Sequence, residues 1–275
     1  MNPTDTSEDV LVDPDWIAAH LDDPTVRVIE VDVSGAAYGE GHIPGAVLWN
    51  AYGDLRHGDY TPIEQPELEG LLSRSGLTRE TTIVFYGYGQ YLGFWLMKSH
   101  GHERVRVMDG GRDRWARAGH PWSTEVPAQG SSLYPLSDVR PEIAASREAV
   151  QRMIPGPHTV VLDVRSRAEF DGERFWPSGA SEGAGRPGRI PGAVHVPFEA
   201  LRAEDGEFKS ADELRRLYRQ AGVTPDRDVV TYCTIGNRAS QMWFVLKYLL
   251  GYPNVAVYYG SWAEWGTLTE TPVET

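Results

Sequence analysis

The sequence predicts an α/β protein made of two tandem copies of one unit, each a mostly parallel sheet flanked by helices on both faces. Two observations lead there. One ordered series of segments runs through the chain twice, and each copy alternates short β-branched apolar runs with helix-period patterns, as βα units around a doubly covered sheet do. A chain of 275 residues agrees with two units, since about 100–200 residues is the usual span of one.

The first copy contains Val28-Ile29-Glu30-Val31-Asp32, Gly41-His42-Ile43-Pro44-Gly45-Ala46-Val47, Thr82-Ile83-Val84-Phe85-Tyr86-Gly87, and a closing segment at 105–115. The second contains Val160-Val161-Leu162-Asp163-Val164-Arg165, Gly188-Arg189-Ile190-Pro191-Gly192-Ala193-Val194, Asp228-Val229-Val230-Thr231-Tyr232-Cys233, and a closing segment at 255–265. Matching segments in one order mark a duplication. Domains are expected at 1–125 and 142–275. The linker between them, 126–141, holds three prolines, a glycine and three serines without an apolar period.

Within each copy the β-branched runs are expected as strands and the segments after them as helices. Val229-Val230-Thr231-Tyr232 reads as a buried strand. Residues 239–250 follow with Met242, Trp243, Val245, Leu246, Leu249 and Leu250 spaced as on one helix face, and Gly251 is placed to end that helix. The second copy carries about fourteen extra residues within 171–188, a Gly- and Ser-rich stretch with Arg174 and Arg186; loops this long are usually functional.

Composition narrows the function classes. Hydrophobic residues at 41% and charged residues at 24% describe a soluble globular protein. A formal net charge of -13 without a basic run argues against nucleic acid as a partner. No apolar stretch is long enough to span a membrane and the acidic N-terminus lacks a signal-peptide pattern, so a cytoplasmic location is expected. The single cysteine, Cys233, excludes an internal disulfide and a cysteine-rich metal site. No cofactor and no metal are expected.

Cys233 ends a strand and opens Cys233-Thr234-Ile235-Gly236-Asn237-Arg238-Ala239, directly before a helix. Ligands of open α/β sheets bind at the carboxyl ends of strands, and a helix N-terminus offers unpaired N–H groups and partial positive charge. A thiolate and an anionic adduct on it are both favoured there. Gly236 lets the loop turn with positive φ, and Arg238 is expected to aim its donors at an oxyanion. In the first copy, Gly87 stands where Cys233 does, so that half cannot do the same covalent chemistry; its Tyr88, Tyr91, Phe94 and Trp95 are expected in packing.

From about residue 10 to 272 the chain resembles a tandem-domain rhodanese, with an inactive first repeat and an active second. The carrying motifs are Leu162-Asp163-Val164-Arg165, Gly188-Arg189-Ile190-Pro191-Gly192-Ala193, the 233–239 loop and Gly260-Ser261-Trp262-Ala263-Glu264-Trp265. The resemblance implies that Cys233 attacks the outer sulfur of thiosulfate, releases sulfite and holds a persulfide until a thiophilic acceptor, cyanide or a thiol, removes it. Cys233 is then the catalytic residue. Arg238, Arg186, Thr234, Ile235, Gly236 and Asn237 are the expected substrate-binding set.

Four residues separate Cys233 from Arg238. Rhodanese-like phosphatases and arsenate reductases resemble a loop of five, so this length favours sulfur transfer. Thr234 and Ile235 replace the basic residues of vertebrate-type thiosulfate enzymes, and the loop does not match the Cys-Gly-Ser-Gly of mercaptopyruvate enzymes. Arg238 with Arg186 or Arg189 is nearest to bacterial thiosulfate-type loops. Thiosulfate is therefore the favoured donor, with 3-mercaptopyruvate as the alternative. A persulfide carrier or interaction module serving a protein acceptor is a further alternative, to which a basic partner would suit the acidic surface.

Other conspicuous residues have structural readings. Asp163 and Arg165 are expected as an ion pair bracing the loop, with Glu169 and Glu173 solvent-facing or loop-bracing. His42 is expected to hold its turn, and His100 and His102 lack further ligands in a metal pattern. Trp115 and Trp265 occupy equivalent places and are expected in the cores, whereas Trp262 is a weak candidate for lining the cleft.

Overall fold

Apolar runs buried on both faces are what a parallel sheet requires, and each repeat supplies them to its central strands. The structure, a computed structural model, describes residues 10–128, 130–154, 156–176, 185–203 and 208–275. In the first repeat β1 (Leu11–Val12), β2 (Val26–Asp32), β3 (Val47–Asn50), β4 (Thr82–Tyr86) and β5 (Val105–Met108) form one sheet in the order β1-β5-β4-β2-β3. The second repeat forms a sheet from β6 (Ala144–Ala145), β7 (Thr159–Asp163), β8 (Val194–His195), β9 (Asp228–Tyr232) and β10 (Val255–Tyr258), ordered β6-β10-β9-β7-β8. Every pairing in both sheets is parallel. The two copies share one topology.

The chain divides into one unit of Met1–Gly58 with Pro62–Val139 and another of Asp59–Thr61 with Arg140–Thr275. In the first unit the helices are α1 (Pro14–Ala19), α2 (Ala36–Glu40), α3 (Gln65–Arg74), α4 (Gln90–Ser99) and α5 (Gly111–Ala118). All of α4 is buried, including Tyr91, Phe94 and Trp95, whereas Tyr88 just before it is exposed. In the second unit they are α6 (Arg147–Met153), α7 (Arg167–Phe170), α8 (Ala211–Gln220), α9 (Asn237–Phe244) and α10 (Ser261–Trp265). Trp115 and Trp265 are fully buried at equivalent places in the two cores.

Each Ile-Pro-Gly turn is tied to its central strand in the same way. The N–H of Ile43 donates to the Tyr86 hydroxyl at 3.1 Å, and that of Ile190 to the Tyr232 hydroxyl at 3.2 Å. His42 braces its turn through Tyr38 and Glu125 carbonyls at 2.9 and 3.0 Å.

The proline-bearing stretch after residue 125 lies along the first unit. Gly130 packs so closely on Gly76 that a Cβ would come within 2.3 Å of its Cα, and the Gly130 amide donates to Arg74. Downstream, His102 Nδ1 meets the Tyr134 hydroxyl at 2.5 Å and His100 Nδ1 meets the Ser137 carbonyl at 2.9 Å. An extended strap held by such point contacts shows no apolar period. Both histidines fasten this strap.

α9 begins at Asn237, two residues before the expected start, and its apolar stripe runs on through a π-turn at Val245–Leu249. Gly251, at φ +73, follows it. Of the insertion expected at 171–188, residues 177–184 lie outside the described residues.

The sheet order also fixes where a ligand can sit. From β7 the chain goes outward to β8, and from β9 it goes the other way to β10, so a crevice opens between the carboxyl ends of neighbouring β7 and β9. The loops leaving those two strands build the site.

Candidate active site

Cys233 follows Tyr232, the last residue of central strand β9. Its side chain is almost enclosed, at 1% exposure, and the whole stretch 233–240 is buried. The sulfur is nevertheless met by a polar group, because the Gly236 N–H donates to Cys233 Sγ at 3.1 Å. Gly236 is the N-cap of α9 in the left-handed region at φ +87. A Cβ there would lie 2.6 Å from Tyr259 Cδ2 and 3.2 Å from the Tyr259 carbonyl, so only glycine brings this amide to the sulfur without displacement.

The loop is pinned from the β10 side by the start of α10. The Cys233 N–H donates to Ser261 Oγ at 3.3 Å, and that hydroxyl donates to the Tyr258 carbonyl at 2.8 Å. Trp262 and Ala263 donate their N–H groups to the Cys233 and Thr234 carbonyls at 3.0 and 2.9 Å. Ser261 holds φ +54, a conformation that costs a non-glycine residue of order 1–3 kcal/mol. Its buried hydroxyl compensates by joining the cysteine loop to β10.

From the β7 side the loop is held by Glu169 of α7. Its carboxylate accepts from Thr234 Oγ1 at 2.7 Å, from Arg238 Nη1 and Nη2 at 2.8 Å each, and from the Ser166 amide and hydroxyl at 3.0 and 2.7 Å. Arg238 Nη2 also reaches Thr234 Oγ1 at 2.7 Å. Burial acts to raise the Glu169 carboxyl, yet the hydrogen bonds and charge of Arg238, with Thr234 and Ser166, hold it down at about 2. The fork expected to face an oxyanion therefore faces a carboxylate. Sequence alone allowed the other outcome, because Glu169 lies far from Arg238 in the chain and meets it only through the adjacency of β7 and β9.

Arg186 likewise departs from the expected substrate-facing placement. Its guanidinium donates to the carbonyls of Trp265 and Leu268 and to Thr271 Oγ1, fastening the segment that leaves α10. Carbonyls at a helix end lack intrahelical partners, and a guanidinium satisfies them well. Arg189 pairs with Glu274 at 2.5 Å, and Arg174 is exposed. Asp163 and Arg165 form a fully buried ion pair at 2.7 Å. Asp163 also accepts from the Tyr232 hydroxyl, and the Arg165 guanidinium lies 4.6 Å over the Trp262 ring. Trp262 is buried beneath that guanidinium, with its Nε1 on the Arg186 carbonyl at 3.2 Å.

Thr234, Ile235 and Asn237 are all brought to the loop with Cys233 and Gly236, but the Thr234 hydroxyl is committed to Glu169 and Ile235 joins the apolar cluster of Trp176 and Trp262. Ser261 is the functional neighbour that sequence reasoning did not single out, whereas Glu169, expected as solvent-facing or loop-bracing, braces the loop. A Gly-Ser pair shortly after β10, and a Ser-x-x-Glu capping box shortly after β7, were the available signals.

The first repeat is closed to this chemistry by sterics. Gly87, at φ +92, occupies the place of Cys233, and any Cβ there would lie 2.8 Å from the Val31 carbonyl and 3.1 Å from Glu30 Cγ. Among the described residues, no group of three or more His, Cys, Asp or Glu is arranged to hold a metal ion, and no helix is long and apolar enough to cross a membrane.

A rhodanese-like domain matches residues 13–118 and again 146–268, which takes in four strands of each sheet and the cysteine loop. The chain belongs to the rhodanese-like family. This rhodanese-like chain is 44% identical to the sulfur carrier protein TtuD of Thermus thermophilus, over 96% of each chain. It is 41% identical to a Haloferax volcanii protein provisionally named a thiosulfate sulfurtransferase, over 100% of this chain and 99% of that one. Among solved structures, wild-type EanB superposes with a TM-score of 0.86 at 29% identity, covering 96% of this chain and 69% of that one. Another EanB structure is described as a cysteine persulfide in a tetrahedral intermediate state with ergothioneine, with a TM-score of 0.85 at 28% identity over 96% of this chain and 70% of that one. The chain is a rhodanese-family sulfurtransferase.

Proposed function

We propose that the protein moves the sulfane sulfur of thiosulfate to a thiophilic acceptor, cyanide or a thiol, through a persulfide on Cys233. The observation that carries the proposal is the Gly236 amide 3.1 Å from Sγ, at the N-terminus of α9 and the carboxyl end of the central strand. A thiolate in that position is stabilised by an N–H donor and by the helix dipole. It attacks the outer sulfur of thiosulfate; the new bond is Cys233 S–S, the bond broken is the S–S bond of thiosulfate, and its electron pair leaves with sulfite. No proton has to move, and total charge is conserved. The acceptor then takes the outer sulfur and returns the thiolate, a two-step cycle of nucleophilic catalysis.

A second reading, a persulfide carrier loaded by another protein, is favoured by the pairing of Arg238 with Glu169, which leaves that guanidinium unavailable to a small dianion. Steady-state assays decide between them. Thiosulfate and 3-mercaptopyruvate are compared side by side for sulfite or pyruvate release and thiocyanate formation, with Cys233→Ser as the blank. The proposal expects turnover with thiosulfate and none in the variant. Turnover with neither small donor supports the carrier, and turnover with mercaptopyruvate alone replaces thiosulfate as donor.

A further inference from the structure

The only arginine in the cysteine loop, Arg238, is also the only residue of that loop with a formal positive charge, and it is buried. Both of its terminal nitrogens meet Glu169, whose carboxylate is fully buried and carries the Thr234 hydroxyl as well. A buried carboxylate bound to the loop that carries the nucleophile is costly to desolvate, so its presence calls for a reason. The adjoining charges are arranged likewise: Asp163 and Arg165 leave β7 as a second fully buried pair. The groups around the loop from the β7 side are thus two ion pairs, with no net charge in either, and Arg165 Nη1 has no hydrogen-bond partner among the described residues. From the β10 side, Ser261, Trp262 and Ala263 supply neutral contacts.

We propose that Glu169 is the positioning residue of the cysteine loop: it clamps Thr234 and Arg238 in place and cancels the Arg238 charge. On this account the thiolate and the persulfide are held by backbone amides and the helix dipole, while the guanidinium fixes geometry. The inference rests on Cys233 being the nucleophile, and it concerns what sets the ionisation of that thiol, whichever donor loads it.

The test reads the thiol directly. With one cysteine in the chain, the ultraviolet absorbance of thiolate against pH, taken as the difference from Cys233→Ser, titrates Cys233 alone. Glu169→Gln leaves Arg238 uncompensated and should move the inflection to lower pH; Arg238→Gln leaves Glu169 uncompensated and should move it higher, each on the order of one pH unit. The double variant should return close to the parent. Thr234→Val removes a clamp hydrogen bond without changing charge and should leave the inflection in place while sulfur transfer slows. Loop disorder alone would move both charge variants the same way, and that result, or no movement in either, overturns the proposal. If Arg238→Gln fails to fold, the contrast between Glu169→Gln and Thr234→Val still decides. A thiol that titrates as expected while no donor is turned over would sink the thiosulfate reading and leave this one standing.

Discussion

Replacing Gly236 by alanine tests how the sulfur is held. The residue sits at φ +87, where an L side chain costs about 1–2 kcal/mol. The new Cβ would lie 2.6 Å from Tyr259 Cδ2 and 3.2 Å from the Tyr259 carbonyl. The half-buried ring can swing, but the carbonyl belongs to the backbone between β10 and α10, so relief requires the loop to shift; overpacking of this kind costs about 1–3 kcal/mol. The sum is a destabilisation of about 2–5 kcal/mol. The shift also draws the amide away from Sγ, which it meets at 3.1 Å. A hydrogen bond to a charged acceptor contributes about 1.5–3 kcal/mol, so kcat/KM should fall about 10- to 100-fold. Gly222→Ala is the control, since Gly222 has φ +76 with nothing within 4 Å of the added Cβ and follows α8 outside the cysteine loop. It should lose about 1–2 kcal/mol in stability and no activity. Chemical denaturation and thiocyanate formation measure the two quantities. If Gly236→Ala lost stability but kept full kcat/KM, the reasoning about the amide and the sulfur would be refuted.

Three further outcomes follow from the same contacts. Arg186→Ala should lower the melting temperature by removing donors from the Trp265 and Leu268 carbonyls and Thr271, while KM for the sulfur donor stays unchanged; a raised KM with unaltered stability would return Arg186 to the substrate site. Gly87→Cys should give no second sulfur-accepting site and should destabilise the first repeat, read by intact mass and by denaturation, because its Cβ would meet the Val31 carbonyl at 2.8 Å. Glu169 has a folded-state carboxyl held at about 2, below its ordinary value of 4.5, so its contribution is complete above pH 4.5 and is lost as pH falls from there toward 2. That contribution is about 3 kcal/mol, and acid titration of stability in Glu169→Gln should be shallower across this window than in the parent.

Much of the fold was legible because duplication repeats its own evidence. The matched Ile-Pro-Gly turns and the strands ending at Tyr86 and Tyr232 placed the carboxyl edge of each sheet, and both tyrosines bond the turns in the same way. Cys233 was legible because a thiol between a β-branched strand and a Gly-x-Arg helix start has few other uses. The arginines were not. Their chemistry is identical whether a guanidinium faces a ligand, a carboxylate or a helix end, and the choice depends on partners distant in sequence: Glu169 for Arg238, and the residues after α10 for Arg186. Ser261 was hidden for another reason, since its role depends on a left-handed backbone conformation that serine seldom adopts. The start of α9 at Asn237 was missed because the apolar stripe starts only at Met242, whereas the N-cap glycine sets the boundary.

The account stands or falls on the capacity of one sulfur to carry another. Intact-protein mass spectrometry after incubation with thiosulfate, followed by peptide mapping, measures this directly. A gain of one sulfur atom per chain, confined to the peptide that contains Cys233 and removed by cyanide, is the predicted result. An unchanged mass under conditions in which thiosulfate is consumed, or a gain that persists in Cys233→Ser, would contradict it.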